Sequence, residues 1–309
     1  MKKNTQLFKT LEKILFTLIT MIELLITIFT FSSMVLLFKY FEIICVNNLQ
    51  AITANYFTAG SLSILNLSFN IKLSDIIISI SPLFLGLSLI IGLLFVITFN
   101  FYALASQNIG ITPSTIANKM SMIIPIIIGF LFLNEDLTTN KFIGISLAIV
   151  AIFLSSLGHG KIKLKKNHLI LLSLLFLGQG IADAILNWSQ NFMINYQNMN
   201  LFFGTIFMSA GFSGLFLIFF KLKNKKMKIK FRNIYWGIAL GIPNYISLLY
   251  FIKSLKSKLF SSSEIFPIIN IGVIVVCTSL SIILFKERVT IHNWLGLGLG
   301  IFSIYLILG

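Results

Sequence analysis

Ten long apolar stretches, near residues 14–38, 47–66, 82–104, 112–133, 139–157, 168–188, 199–220, 233–252, 263–285 and 290–308, leave little of this chain for anything else. Each approaches the ~20 residues that a helix needs to cross the ~30 Å hydrocarbon layer of a bilayer. A soluble fold has nowhere to hide them: of 309 residues 57% are hydrophobic and 11% charged, and the mean hydropathy is +0.96. Lipid must therefore act as solvent for most of the outer surface. Hydrocarbon offers no partner to a free backbone amide, so an open sheet edge is excluded and every span is expected to be helical. The run behind the first lysines continues to Phe38, well beyond the ~7–15 residues of a signal-peptide core, and reads as the first span. Connecting segments of a dozen residues or so leave no room for a catalytic domain outside the membrane.

The chain repeats itself. Glu135-Asp136-Leu137-Thr138 and Glu287-Arg288-Val289-Thr290 each close an apolar run and precede a Gly-marked helix, and the offset of 152 positions also superposes Asn118 on Asn270 and Gly144 on Gly296. The expectation is an all-α integral membrane protein of ten transmembrane helices in two repeats, 14–157 and 168–308, joined by a basic loop at 158–167. Five spans per unit is an odd number, so the second repeat is inverted and both termini share one side. The acid in each turn, Glu135 or Glu287, is expected to favour the positive N-terminal end of the helix that follows it, by ~0.3–1 kcal/mol.

A net charge of +15 would suggest nucleic acid in a soluble protein, but here the cations crowd two loops, Lys161 to Lys166 and Lys221 to Arg232. That placement fits topology and lipid headgroups, with no folded basic domain left to grip nucleic acid. The four N-terminal lysines favour an N-terminus inside, whereas the loop lysines counted together favour the opposite orientation. Cys45 and Cys277 make no disulfide framework. His159, His168 and His292 have no metal-ligand spacing, and no phosphate-binding Gly-Lys loop occurs. No cofactor, metal or enzymatic activity is expected.

Function is best sought where polarity is costly, because a charge at the bilayer centre costs at least ~2.5–3.5 kcal/mol. Lys119 is the one cation placed deep in a span, beside Asn118 and on the helix that carries Ser114, Ser121 and Pro125 along one face. Pro125 is expected to free the carbonyl of Ser121, and Pro267 that of Ser263 on the helix of Asn270. Two kinked, Asn-bearing helices in equivalent positions point to a substrate site formed by Asn118, Lys119, Ser121, Pro125, Pro267 and Asn270. Glu23, in the polar stripe Thr20, Glu23, Thr27, Thr30, and Asp183, in the stripe Gln179, Asp183, Asn187, are candidates for ion coupling or charge balance. Glu264 stands at a helix start, where capping is as good an explanation as transport. Asn118 and Asn270 could instead be interhelical glue, worth ~0.6 kcal/mol each. Asn55, Tyr56, Pro243 and Asn244 are further candidates for the lining. The glycines Gly296, Gly298 and Gly300, with Gly144 and Ala148, suit close helix packing within the chain or in a homodimer.

The paired endings, Phe132-Leu133-Asn134-Glu135-Asp136-Leu137-Thr138 to Gly144 and Leu284-Phe285-Lys286-Glu287-Arg288-Val289-Thr290 to Trp294-Leu295-Gly296, resemble the EamA repeat of the drug/metabolite transporter superfamily. The resemblance covers essentially the whole chain. It implies two inverted five-helix repeats in a cell membrane and ATP-independent transport of small metabolites, often export. A non-transporting or lipid-handling, flippase-like protein is the alternative.

Overall fold

The computed structural model describes residues 2–68, 81–132, 138–155, 166–193, 199–224, 227–256 and 262–308. Among them there is no strand; the chain forms α1 (Lys2–Ile43), α2 (Asn48–Ser68), α3 (Pro82–Asn108), α4 (Ile111–Met120), α5 (Ile123–Phe132), α6 (Thr139–Ser155), α7 (Lys166–Met193), α8 (Met199–Lys223), α9 (Phe231–Lys256), α10 (Ser262–Phe285) and α11 (Ile291–Leu308). Local chemistry sets several of these ends. Ser81 accepts the Phe84 amide at 3.1 Å and Pro82 occupies the first helical position, where its missing N–H costs nothing. At α11, Thr290 Oγ1 accepts the Asn293 amide at 3.1 Å, while Asn293 Oδ1 accepts the Thr290 amide at 3.0 Å.

Among the described residues seven helical stretches are long and apolar enough to cross a membrane: Thr17–Ile43, Pro82–Asn108, Ile111–Ile128, Lys166–Ser189, Asn200–Lys223, Phe231–Ser254 and Ile268–Phe285. Shorter apolar helices cover Thr139–Leu154 and Ile291–Leu306. α2 is missing from both sets because it carries Gln50, Thr53, Asn55 and Ser63, all buried. It can do so because it lies against α8 and α9 instead of lipid. Lipid-facing positions elsewhere are large and apolar, Phe212, Phe216, Phe219, Ile283 and Leu284 among them.

The packing interleaves distant parts of the chain. α1 lies on α9 and α10, α2 on α8 and α9, α3 on α7 and α8, the α4–α5 rod on α7, α4 on α10, and α6 on α11. In the α6–α11 pair the Ser303 hydroxyl donates to the Gly144 carbonyl at 2.8 Å, and Gly296 and Gly300 are buried, so this small face serves packing within the chain. One end of the bundle is polar: Lys39 and Asn48 bond Gln107, Gln50 bonds Lys228 and Asn233, and Arg232 bonds the Cys45 carbonyl. The turns after α1, α3, α8 and α10 meet here. α1 ends and α11 begins at this end, so Lys2 and Leu308 lie at the other.

Candidate functional site

The rod expected as one helix over 112–133 is two helices, α4 and α5, with a break at Ser121 and Met122. The Ser121 carbonyl is not free: the Ile124 amide, three residues on, donates to it at 3.0 Å. This corrects the expectation that Pro125 would leave it open. A tight i→i+3 turn supplies the partner that proline cannot, and Pro125 then sits in the first turn of α5, where its missing N–H has no helical acceptor to lose. The break is sealed further by Ser121, whose hydroxyl and amide both bond the Asn118 carbonyl, at 2.5 and 3.3 Å.

At this break the structure gathers most of the residues singled out by sequence. Lys119 extends Nζ over the Phe31 ring of α1, 3.6 Å from its centroid, a contact worth ~0.5–1 kcal/mol in water and ~2 or more when desolvated. Asp183 of α7 and the Cys277 thiol of α10 lie within electrostatic range of that ammonium, yet among the described residues no carboxylate comes within the 4 Å of an ion pair with it. Asp183 is held by its own helix, accepting from Gln179 Nε2 at 2.8 Å, with the Ser121 hydroxyl beside it. Asn118 is buried, and Asn270 of α10 reaches the break itself, its Nδ2 directed at Met122 Sδ at 3.3 Å. Four helices, α1, α4, α7 and α10, thus converge on one short segment.

Other expectations fall elsewhere. Glu23 lies apart from Lys119; the cation within its range is Lys253 of α9. The polar stripe fixes which face of α1 carries Glu23, but not which helix covers that face. Pro267 lies within α10, and its side chain, with those of Ser263 and Glu264, is outside the described residues, as is Glu135. Asn55 and Asn244 bond one another, Nδ2 of Asn244 donating at 3.1 Å, and tie α2 to α9. The Tyr56 hydroxyl donates to the Phe95 carbonyl at 3.1 Å and so joins α2 to α3.

Sequence reasoning missed several residues packed around the break: Phe31, Ser32, Tyr102, Thr115 and Cys277. Tyr102 donates to Thr115 Oγ1 at 3.1 Å in the fully buried interior. The Ser32 hydroxyl is buried beside the Cys277 thiol. Three of these, Ser32, Tyr102 and Thr115, carried a signal in being polar on apolar helices; Phe31 carried none.

Glu287 overturns its expected role. The start of α11 is capped by Thr290 and Asn293, and the Glu287 carboxyl turns away from it to the start of α4. There Oε1 fills the space a side chain at Gly110 would need, and the Ile111 and Thr112 amides and the Ser281 hydroxyl stand close. Gly110 has φ 134°, a conformation that glycine adopts without strain. Burial pushes the Glu287 carboxyl above the usual carboxylate range, against the opposing pull of Ser281, Ile111, Lys39 and Thr112. Its Oε2 is buried without a partner. Beside the α1–α2 turn, the polar end also carries an open cleft of about 560 Å³ floored by Asn47 and Asn233 and edged by Glu42, Lys228 and Lys230.

Length, apolar surface and buried polar interior together define a multi-pass, all-helical membrane protein. The chain belongs to the same family as an uncharacterized protein of Haemophilus influenzae, to which it is 30% identical over 263 residues, covering 83% of this chain and 87% of that one. A protein of known crystal structure shares the fold, with a TM-score of 0.58 over 93% of this chain and 95% of its own at 13% identity. No family model matches the sequence.

Proposed function

We propose that this chain is a secondary transporter of the EamA type that carries a small polar metabolite, outward in the cell, by alternating access between two inverted five-helix repeats of ten spans in all. The observation that carries the reading is Lys119: a half-buried lysine at a helix break, where α1 and α4 meet α7 and α10, with an aromatic face beneath it and, among the described residues, no carboxylate in direct contact. Such a cation is suited to an anionic group on the substrate, with Asn118, Ser121 and Asn270 as polar neighbours and Asp183 to balance charge in its absence. The packing supports the repeat. Exchanging the halves carries the α1–α9 contact onto α7–α3, α2–α9 onto α8–α3, and α1–α10 onto α7–α4, while α2–α8, α4–α10 and α6–α11 map onto themselves.

The test begins with thermal stabilisation of the purified protein by a panel of metabolites, since a ligand at about 100 times its Kd adds ~2.7 kcal/mol. The stabilising compound is then followed into proteoliposomes. Lys119→Ala should weaken its binding and saturable flux while leaving the melting point nearly unchanged. Unchanged affinity and flux in that variant would remove Lys119 from the site.

A further inference from the structure

We propose that Glu287 is a proton-binding site that bolts the polar end of the bundle shut: as the neutral acid it seats against Gly110 at the start of α4, and on losing its proton it is drawn into water, parting the α10–α11 turn from α4 and opening the route to Lys119 from that end. The inference rests on the transport reading and names its regulation. Its basis is geometric. The carboxyl leaves its own turn to reach another repeat's helix, and it fits only because position 110 has no side chain. Behind it the first residues of α4, Ile111 to Ala117, are buried throughout, Ile111, Thr112, Ser114 and Thr115 to 0% exposure, so that helix closes the polar end. Separating the turn from α4 is the least displacement that uncovers it.

The charges around the carboxyl decide the sign. Lys39 faces it from α1, but Lys39 is bonded to Glu42 at 2.6 Å and to the Gln107 carbonyl at 2.8 Å. α4 offers the backbone amides of Ile111 and Thr112, and α10 the Ser281 hydroxyl and, within electrostatic range, the Cys277 thiol; the flanking Lys286 and Arg288 are exposed. An ionised carboxylate would leave Oε2 buried without a hydrogen bond, whereas the neutral acid carries no charge to desolvate. Burial outweighs the attraction of the helix terminus and Lys39, so the seated carboxyl holds its proton to a higher pH than a carboxyl in water does. Proton binding therefore favours the closed end, and the proton leaves to water as it opens. A transporter built this way couples a proton to one side of its cycle.

The native cysteines supply the assay. Cys45 is exposed at the polar end and Cys277 is buried within electrostatic range of both Glu287 and Lys119. Sealed vesicles of either orientation are treated with an impermeant methanethiosulfonate; the preparation in which Cys45 reacts presents the polar end. In the Cys45→Ser background the rate at Cys277 is then read from pH 5 to 8, with and without Glu287→Gln, the uncharged mimic of the closed form. Dividing the two rates removes the ionisation the thiol would show on its own; the Glu287 carboxylate, present only in the unmutated protein, opposes that ionisation and lowers the ratio, so a rise reports opening. The ratio should start near one in acid and rise with pH, by about tenfold for each pKa unit separating closed from open carboxyl. A ratio flat across the range overturns the bolt, even where flux is found. A rising ratio in a protein that moves no solute keeps the bolt and overturns the transport reading. Should Glu287→Gln fail to fold, the Cys45→Ser protein alone decides. The logarithm of its rate rises one unit per pH unit if thiol ionisation acts alone, which refutes the proposal, and more steeply if the end also opens.

Discussion

Gly241→Ala tests the seam between α2 and α9, where the two ends of the sequence interleave. A methyl group at position 241 would lie 2.7 Å from the Asn55 carbonyl oxygen and 2.5 Å from Thr58 Cβ. Both atoms are fixed by the backbone, so no rotamer change relieves either contact, and the helices must part by about 0.9 Å to bring the tighter one to the 3.4 Å of an ordinary contact. Overpacking of this kind costs ~1–3 kcal/mol. Alanine also gains ~1 kcal/mol of helix propensity over glycine, which obscures the packing term in a single variant. Gly298→Ala on α11 removes that difficulty, because nothing lies within 4 Å of its added methyl group, so it receives the propensity gain alone. The difference between the two variants is the packing cost. At ~2–4 °C per kcal/mol, Gly241→Ala should melt roughly 2–12 °C below Gly298→Ala in one detergent. A melting point equal to or above that of Gly298→Ala would show that α2 and α9 are not packed backbone to backbone at this position.

Two further outcomes follow from the same structure. Truncating Asn55 and Asn244 singly and together should yield a coupling energy of ~0.6 kcal/mol, up to ~1.7, in a double-mutant cycle read by unfolding in mild detergent; zero coupling would sever the α2–α9 hydrogen bond. Glu287 should make stability depend on pH: because the fold raises its pKa, its contribution is full in acid and is lost as the pH climbs through the folded-state pKa, so Glu287→Gln should gain on the unmutated protein toward pH 8. Parallel melting curves for the two proteins from pH 5 to 8 would contradict that sign.

Hydropathy made the helices legible because lipid enforces a length and an apolar surface that any reader can count. Asn118, Lys119, Ser121 and Asn270 were legible for a second reason, that polarity in hydrocarbon demands a cause, and the structure brings all four to one break. What escaped the sequence depends on which helix lies opposite. The periodicity of α1 placed Glu23 on a polar face, but only packing reveals that Lys253 is its neighbour. The break in α4 falls before Pro125, since the chain turned to satisfy the Ser121 carbonyl locally, and a proline rule cannot foresee that choice. Glu287 was read as serving the next helix because sequence reasoning favours near partners; its carboxyl reaches α4, some 170 residues back in the chain.

The polar character of α2 has a consequence for how this protein is made. With Gln50, Thr53, Asn55 and Ser63 on its surface, α2 is a poor candidate for release into lipid when it leaves the ribosome, and its partners α8 and α9 are not yet synthesised. About 160 residues separate the end of α2 from the start of α9, a delay of roughly 8–30 s at ordinary rates of translation. During that interval α2 has to be held at the insertion machinery or in the headgroup layer. A nascent chain cut short before α9 leaves it there without the bonds to Asn233 and Asn244 that the complete chain supplies.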